Sequence, residues 1–254
     1  MSTTHDGITD SQFGPQAQAY VTSAVHASGP DLDRIEAAAR AHPGVRALDL
    51  GCGGGHVSYR IAPYAREVVA SDLSAEMLGA VASEARRRGS GNIVTVQAPA
   101  ERLPFDNESF DFVACRMSAH HWRDFEAGLR EARRVVRQGA PALFVDVIAP
   151  TEPLFDTHLQ AIELLRDPSH VRDYRMEEWC AALARSGFTL CAFTPHRLRM
   201  EFATWIARMR TDAAHVAAIR SLQQGASAEV KEALAIEGDG SFMLDIATFE
   251  LVAA

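Results

Sequence analysis

Residues 47–56 read Ala-Leu-Asp-Leu-Gly-Cys-Gly-Gly-Gly-His, an apolar segment that runs directly into a cluster of glycines. A strand that ends in Gly-x-Gly can turn sharply and lets a ligand approach the main chain closely, because glycine has no Cβ. About twenty residues further on, residues 68–72 predict a second strand that ends in Asp72, where Rossmann-type folds place a ribose-binding carboxylate. The two segments together predict a site for a nucleoside-type ligand.

A dinucleotide is one candidate ligand for such a turn. Its fingerprint requires a third glycine, in the pattern Gly-x-Gly-x-x-Gly. Gly51 and Gly53 fill the first two positions, but His56 stands at the third. Asp49, just before the turn, would repel a phosphate, whereas it suits a cationic group such as an ammonium or a sulfonium. These residues disfavour a nicotinamide oxidoreductase, an alternative that tighter binding of NAD would revive.

The glycine turn resembles the first motif of class I S-adenosylmethionine (SAM)-dependent methyltransferases, Asp/Glu-x-Gly-x-Gly-x-Gly. Asp49, Gly51, Gly53 and Gly55 match its four positions. The resemblance implies that SAM is the cofactor, that S-adenosylhomocysteine is the product, and that Asp72 contacts the ribose. Residues that border the same strands and turns complete the expected cofactor site: Cys52, Leu73, Met77 and Arg116.

Two further segments extend the resemblance. Residues 98–111 resemble the family's Asp-Ala-Glu-x-Leu-Pro-Phe … Ser-Phe-Asp segment, which implies that Ala100 and Glu101 lie beside the adenine. The usual aspartate before this pair is Pro99 here, so Glu101 or a backbone carbonyl must contact the exocyclic amine, unless Glu101 is only a solvated loop acid. Residues 165–172 are similar to a bacterial subgroup close to the ubiquinone/menaquinone-biosynthesis methyltransferases.

The amino-terminal residues 13–20 resemble the family's leader, Phe-x-x-x-Ala-x-x-Tyr. By that resemblance Phe13 and Tyr20 fold over the methionine part of SAM, and His26 is a weaker candidate for the same role. Without the resemblance, these aromatic residues would be interpreted as the apolar stripe of a helix.

His120 and His121 are the candidate catalytic residues, since they follow the fourth predicted strand where the fold places groups near the transferable methyl. Methyl transfer from a sulfonium is an in-line displacement, so positioning suffices for a neutral nitrogen or a thiolate. A phenol, enol or hydroxyl acceptor benefits from a general base, for which histidine is suited. Adjacent residues point in different directions, so at most one of the two is expected to face the acceptor. No metal site is predicted, because this pair cannot readily bind one ion.

Strands alternate with helices along the chain, which predicts an α/β, Rossmann-like, doubly wound sheet. We expect seven strands, mostly parallel, with an antiparallel last strand and a helical cap. The predicted strands cover residues 45–50, 68–71, 93–96, 110–115, 142–145, 188–193 and 242–252. A single domain is expected, divided into an N-terminal helical lid at 1–42, a SAM-binding core at 43–149, cap insertions at 150–175 and 196–240, and sheet-completing segments at 176–195 and 241–254.

Composition limits the classes of partner. The 254-residue chain has a net charge of −8 and no basic run beyond residues 86–88, so nucleic acid is not expected as a partner. No apolar run is long enough to span a membrane, and four scattered cysteines without a leader predict a cytoplasmic protein. The cap favours a small-molecule acceptor, with O-, N- and C-methylation all open. A SAM- or S-adenosylhomocysteine-binding protein without transferase activity is the alternative, and the oligomeric state is not predicted.

Overall fold

The computed structural model describes residues 4–22 and 27–254. The described residues form the strands β1 Val45–Leu50, β2 Ala65–Asp72, β3 Ile93–Gln97, β4 Phe112–Arg116, β5 Pro141–Ala149, β6 Tyr174–Arg175, β7 Phe188–Met200 and β8 Phe242–Ala253. The sheet order is β3-β2-β1-β4-β5-β8-β7, and the short β6 pairs with β5. Strands β1 to β5 are parallel, while β8 is antiparallel to both β5 and β7. The predicted Rossmann-like sheet with an antiparallel last strand is confirmed.

Helices cover both faces of the sheet, as parallel strands require. The helices in the described residues are α1 His5–Phe13, α2 Ala17–Val21, α3 Pro30–Ala41, α4 His56–Ile61, α5 Ala75–Arg88, α6 Phe125–Val135, α7 Pro153–Arg166, α8 Met176–Arg185, α9 Phe202–Met209, α10 Ala213–Gly225 and α11 Ala228–Ala233. Helices α3 and α4 bury Leu32 and Ile61 against one face. Helices α6 and α8 bury Leu129 and Trp179 against the other.

The boundaries of α5 show how local sequence positions the site. Ser74 precedes the helix, and its side-chain oxygen accepts a hydrogen bond from the Met77 N–H at 3.4 Å, as an N-cap does. Gly89 ends the helix in the left-handed conformation at φ 74°, which glycine adopts without strain. Both signals are local in the sequence, and Ser74 also donates its N–H to Asp72 at the end of β2.

Strand β7 differs from the prediction, because it continues to Met200 rather than ending at Phe193. Residues 196–200, which the prediction assigned to the cap, therefore pair with β8. Arg197 and Arg199 on this segment alternate with apolar residues and form ion pairs with Asp245 and Glu237. That alternation is typical of a strand with one exposed face. The fourth strand begins at Phe112, two residues later than predicted.

The cap consists of α7, α9, α10 and α11 together with the extended ends of β7 and β8. Its core buries Leu159, Trp205, Ile219 and Phe242 in one cluster, which also contains Val147 at the carboxyl end of β5. The cap is thereby packed onto the edge of the sheet where β1, β2 and β4 end. Among the described residues, no helix has the length and apolar character needed to cross a bilayer.

Candidate functional site

One extended cavity lies at the carboxyl edge of the sheet, between the strand ends and the cap. Most of the predicted site residues lie in its wall, and they are Phe13, Tyr20, Asp49, Gly51, Cys52, Gly53, Asp72, Leu73, Met77, Ala100, Glu101, Arg116, His120 and His121. Gly55 does not line the cavity. It precedes α4 at φ 78°, and a Cβ there would lie 2.9 Å from the Tyr59 ring. His26 lies outside the described residues.

We call the part of the wall formed by Asp49, Gly51, Gly53 and Asp72 the glycine-turn half. The N–H groups of Gly51 and Cys52 both donate to the Ser71 carbonyl at 2.9 Å, which ties the turn to the end of β2. Gly51 has φ 68°, and a Cβ on it would lie 2.0 Å from Ser118 Oγ. A Cβ on Gly53 would meet no atom of the described chain within 4 Å, so this glycine leaves open space beside the main chain.

Asp72 is held firmly at the end of β2. Its Oδ2 accepts a hydrogen bond from the Gly53 N–H at 2.9 Å, and its Oδ1 accepts one from the Ser74 N–H at 3.0 Å. Burial raises the pKa of Asp72, although these backbone hydrogen bonds counteract the rise. Each oxygen keeps acceptor capacity after these bonds, so the carboxylate can also accept hydrogen bonds from ligand hydroxyl groups.

Asp49 is buried in the cavity wall with one oxygen already engaged. Its Oδ2 accepts hydrogen bonds from the N–H and the hydroxyl of Ser58 at 2.9 and 2.6 Å. Burial raises the pKa of Asp49 to about 7. A cationic ligand beside Asp49 would favour its charged form and lower this pKa.

The amino-terminal segment bridges the glycine turn and the cap. The Tyr20 carbonyl lies 2.8 Å from His56 Nε2, so the histidine at the third fingerprint position anchors this segment. The Tyr20 hydroxyl donates to Met209 Sδ at 3.3 Å, on α9 of the cap. The Phe13 ring packs edge-on against the rings of Tyr20 and His121, with centroid distances of 5.6 and 5.0 Å. Two predicted cofactor residues thereby cover the cavity.

His120 is paired with Asp146, which sequence reasoning missed. A 3₁₀ turn at Ala119–His121 follows β4, and His120 Nδ1 lies 2.5 Å from Asp146 Oδ1 on β5. Asp146 also accepts hydrogen bonds from the N–H groups of Ala119 and Val147, both at 2.8 Å. With Nδ1–H donating to this carboxylate, His120 Nε2 has no partner among the described residues. The ring lines the cavity, so Nε2 is the nitrogen available to a ligand.

The pKa values of the two adjacent histidines are shifted in opposite directions. Burial lowers the pKa of His120, but the charge and hydrogen bond of Asp146 outweigh burial and raise it to about 9. Burial and the neighbouring charge of His120 lower the pKa of His121 to about 3. His121 Nδ1 also lies 3.1 Å from the Ser169 carbonyl, to which it can donate. His121 is therefore neutral at physiological pH and too weak a base to accept a proton there.

We call the part of the wall around His120, α7 and α9 the cap half, and it contains further charged residues for which the sequence predicted no role. Besides His120, it includes Glu163 and Arg166 on α7, Asp167 and Asp173 after it, and Arg208 on α9. Its apolar members include Met200, Trp205 and Leu244. Within residues 4–22 and 27–254, no cluster of three or more histidine, cysteine or acidic side chains has the arrangement of a metal site.

Comparison with known proteins identifies the family. A family model described as a methyltransferase domain matches residues 48–144. The Escherichia coli protein YafE is 44% identical over 192 residues, which cover 76% of this chain and 93% of YafE. YcgJ of Bacillus subtilis, named as a methyltransferase, is 33% identical over 89% of this chain and 90% of its own. The chain belongs to the SAM-dependent methyltransferase family.

The same comparison confirms the predicted subgroup resemblance and the fold. This chain is 35% identical to the ubiquinone/menaquinone biosynthesis C-methyltransferase UbiE of Rhizobium leguminosarum. The match extends over 121 residues, which cover 46% of this chain and 47% of UbiE. The crystal structure of YcgJ superposes with a TM-score of 0.82 at 31% identity, covering 87% of this chain and 97% of that one.

The glycine-turn half of this methyltransferase has the chemistry that SAM requires. Open space at Gly53 permits close approach to the main chain, and Asp72 offers acceptors to hydroxyl groups. Asp49 places a buried carboxyl where a sulfonium or ammonium would favour its charged form. The residues present therefore fit the methyl donor that the family uses.

Proposed function

We propose that this methyltransferase transfers a methyl group from SAM to a small-molecule acceptor enclosed in the cavity beside His120. The observation that carries this proposal is that one cavity joins the glycine turn to the cap, with Asp72, His120 and Trp205 all in its wall. A chamber covered by cap helices supports a small acceptor over a protein or nucleic acid. The cysteines at 52, 115, 180 and 191 are all free, which supports a cytoplasmic location.

The glycine-turn half holds SAM in this proposal. Asp72 accepts hydrogen bonds from the ribose hydroxyls, and Ala100 with Glu101 lies beside the adenine. Glu101 Oε1 already accepts the Asp124 N–H at 3.2 Å, which orients its carboxylate. Phe13 and Tyr20 exclude water from the methionine part, and the remaining predicted cofactor residues except Gly55 line the same surface. Bound SAM supplies an activated methyl group on a sulfonium.

His120 removes the acceptor's proton in this proposal. Asp146 fixes the ring with Nδ1–H pointing to the carboxylate, so the neutral ring presents Nε2 as the proton acceptor. A pKa of about 9 makes His120 a stronger base than an ordinary histidine. The neutral form is required for this step, so turnover should rise with pH until His120 is deprotonated near pH 9. Oxygen and carbon acceptors, which must lose a proton, fit this arrangement.

A labelling experiment tests the proposed function. The protein is incubated with methyl-labelled SAM and a bacterial cell extract, and the dialysable products are separated from the macromolecules. Label is expected in a dialysable product. Label only in protein or nucleic acid would contradict the small-molecule acceptor. SAM binding by calorimetry without any transfer would instead support a SAM-binding protein that lacks transferase activity.

A further inference from the structure

Arg208 on α9 is a half-buried cation in the cavity wall. It has no hydrogen bond or ion pair with any residue in the described ranges 4–22 and 27–254. Arg166, on the facing helix α7, provides a contrast. Its Nε donates to the Trp205 carbonyl at 3.0 Å, and its Nη1 lies 3.4 Å from Glu163 Oε2. Two arginines therefore border the same space, but of these two only Arg166 forms an ion pair.

The acids that line the cap half form no ion pair with Arg208 among the described residues. Glu163 is paired with Arg166. Asp167 Oδ1 accepts hydrogen bonds from the N–H and hydroxyl of Ser169 at 2.8 and 2.6 Å. Burial and the charge of Glu163 raise the pKa of Asp173 well above its ordinary value, which disfavours its charged form as a counter-ion. None of these acids forms an ion pair with Arg208 in the described wall, although the negative charge of Glu163 acts on it.

An unpaired guanidinium in a partly desolvated wall is costly unless a ligand compensates it. Burial and the positive charge of Arg166 lower the pKa of Arg208, in keeping with this cost. A guanidinium nevertheless stays charged at physiological pH and offers a planar set of donors to an oxyanion. The neighbouring wall is apolar, with Met200, Trp205 and Leu244.

We propose that Arg208 determines acceptor specificity by binding an oxyanion, a carboxylate or phosphate, on an acceptor whose body is apolar. This inference rests on the proposed function, since it concerns the acceptor of the same cavity. The oxyanion is bound and is not the methylated group, so the product keeps its negative charge. The apolar residues contact the body of the acceptor, and Arg208 fixes the end that faces α9.

The charge of the labelled product tests this inference. After incubation with methyl-labelled SAM and cell extract, the dialysable labelled product should be retained by an anion exchanger at neutral pH. Arg208→Gln should lower its formation on the order of 10–150-fold, the scale of losing a hydrogen bond to a charged group. Arg130→Gln, which removes an exposed positive charge on α6, should form as much product as the wild type. Phosphatase treatment that abolishes retention would assign the oxyanion as phosphate, and persistence would assign it as carboxylate.

The outcomes separate this inference from the proposed function. No labelled small molecule from the wild type would remove both. A neutral or cationic labelled product, or undiminished labelling by Arg208→Gln, would overturn the role of Arg208 alone. Calorimetric titration with SAM gives the remaining distinction. Unchanged SAM affinity in Arg208→Gln is expected, and a large loss would show that Arg208 binds the carboxylate of SAM instead.

Discussion

The two halves of the cavity are built in different ways. The glycine-turn half uses main-chain groups and two acids within residues 49–72, so a short stretch of sequence contains nearly all of it. The cap half combines His120 on the turn after β4, supported by Asp146 on β5, with Arg208 on α9, and these residues are far apart in sequence. A conformation of the main chain defines the first half, whereas tertiary packing of charged side chains defines the second.

That difference separates the two tasks of the enzyme. Cofactor binding depends on close approach to the backbone, which glycines permit and which needs few side chains. In the proposed mechanism, acceptor chemistry depends on a base and a counter-charge whose pKa values are set by burial and by partners. Substitutions in the glycine-turn half should therefore change SAM affinity, while substitutions in the cap half should change turnover.

The largest expected effect is on turnover, from His120→Gln. Loss of the general base should lower turnover by roughly 10²- to 10⁴-fold while SAM affinity stays unchanged. Steady-state transfer from labelled SAM and calorimetric SAM titration measure the two quantities. His215→Gln, on the exposed face of α10, is the matched control and should retain full turnover. Full turnover in His120→Gln would remove the base from the cap half.

The pH dependence of stability gives the next effect. The pKa of His120 is about 9 in the folded protein against an ordinary 6.5, so its pairing with Asp146 stabilises the fold fully below pH 6.5. This contribution is lost as the pH rises through 9, and it amounts to about 3 kcal/mol. In urea unfolding, the difference in the free energy of unfolding between the wild type and His120→Gln should therefore decrease as the pH rises from 6.5 to 9. An advantage independent of pH would contradict the ion pair.

Asp72→Ala probes the glycine-turn half. Loss of hydrogen bonds to a charged group should weaken SAM binding by roughly 1.5–3 kcal/mol. Calorimetry on the folded variant measures this, and Asp245→Ala on the exposed side of β8 serves as the control. Unchanged affinity in a folded Asp72→Ala protein would place the ribose elsewhere.

A glycine comparison gives the smallest effect. Gly51→Ala places a side chain at φ 68°, which should cost about 1–2 kcal/mol of stability, and it crowds Ser118 Oγ. Gly79→Ala lies inside α5 with no atom within 4 Å of the added Cβ, so it should stabilise the protein by about 0.5–1 kcal/mol. Thermal unfolding of both variants checks the opposite signs. Equal effects would show that the turn is not strained as described.

The sequence predicted the sheet and the glycine-turn half because both depend on local signals. Strand periodicity, the cap at Ser74 and the stop at Gly89 are contained in neighbouring residues, as is the spacing from Asp49 to Asp72. The prediction shortened β7, because the alternation over residues 196–200 was assigned to the cap.

Few features of the sequence predict the arrangement of the cap half. His120 and His121 were predicted as candidates, but their opposite pKa shifts come from Asp146 and from burial. Asp146 interrupts an otherwise apolar strand, and that buried acid was the one available signal. Nothing near Arg208 in the sequence marks it, because its unpaired state depends on which side chains α7 presents across the cavity.

The most direct test of the two-half account is a crystal structure with S-adenosylhomocysteine bound. We expect the ribose hydroxyls to contact Asp72 and the sulfur to face the part of the cavity where His120 Nε2 lies. A sulfur directed away from His120, with the ribose far from Asp72, would contradict it.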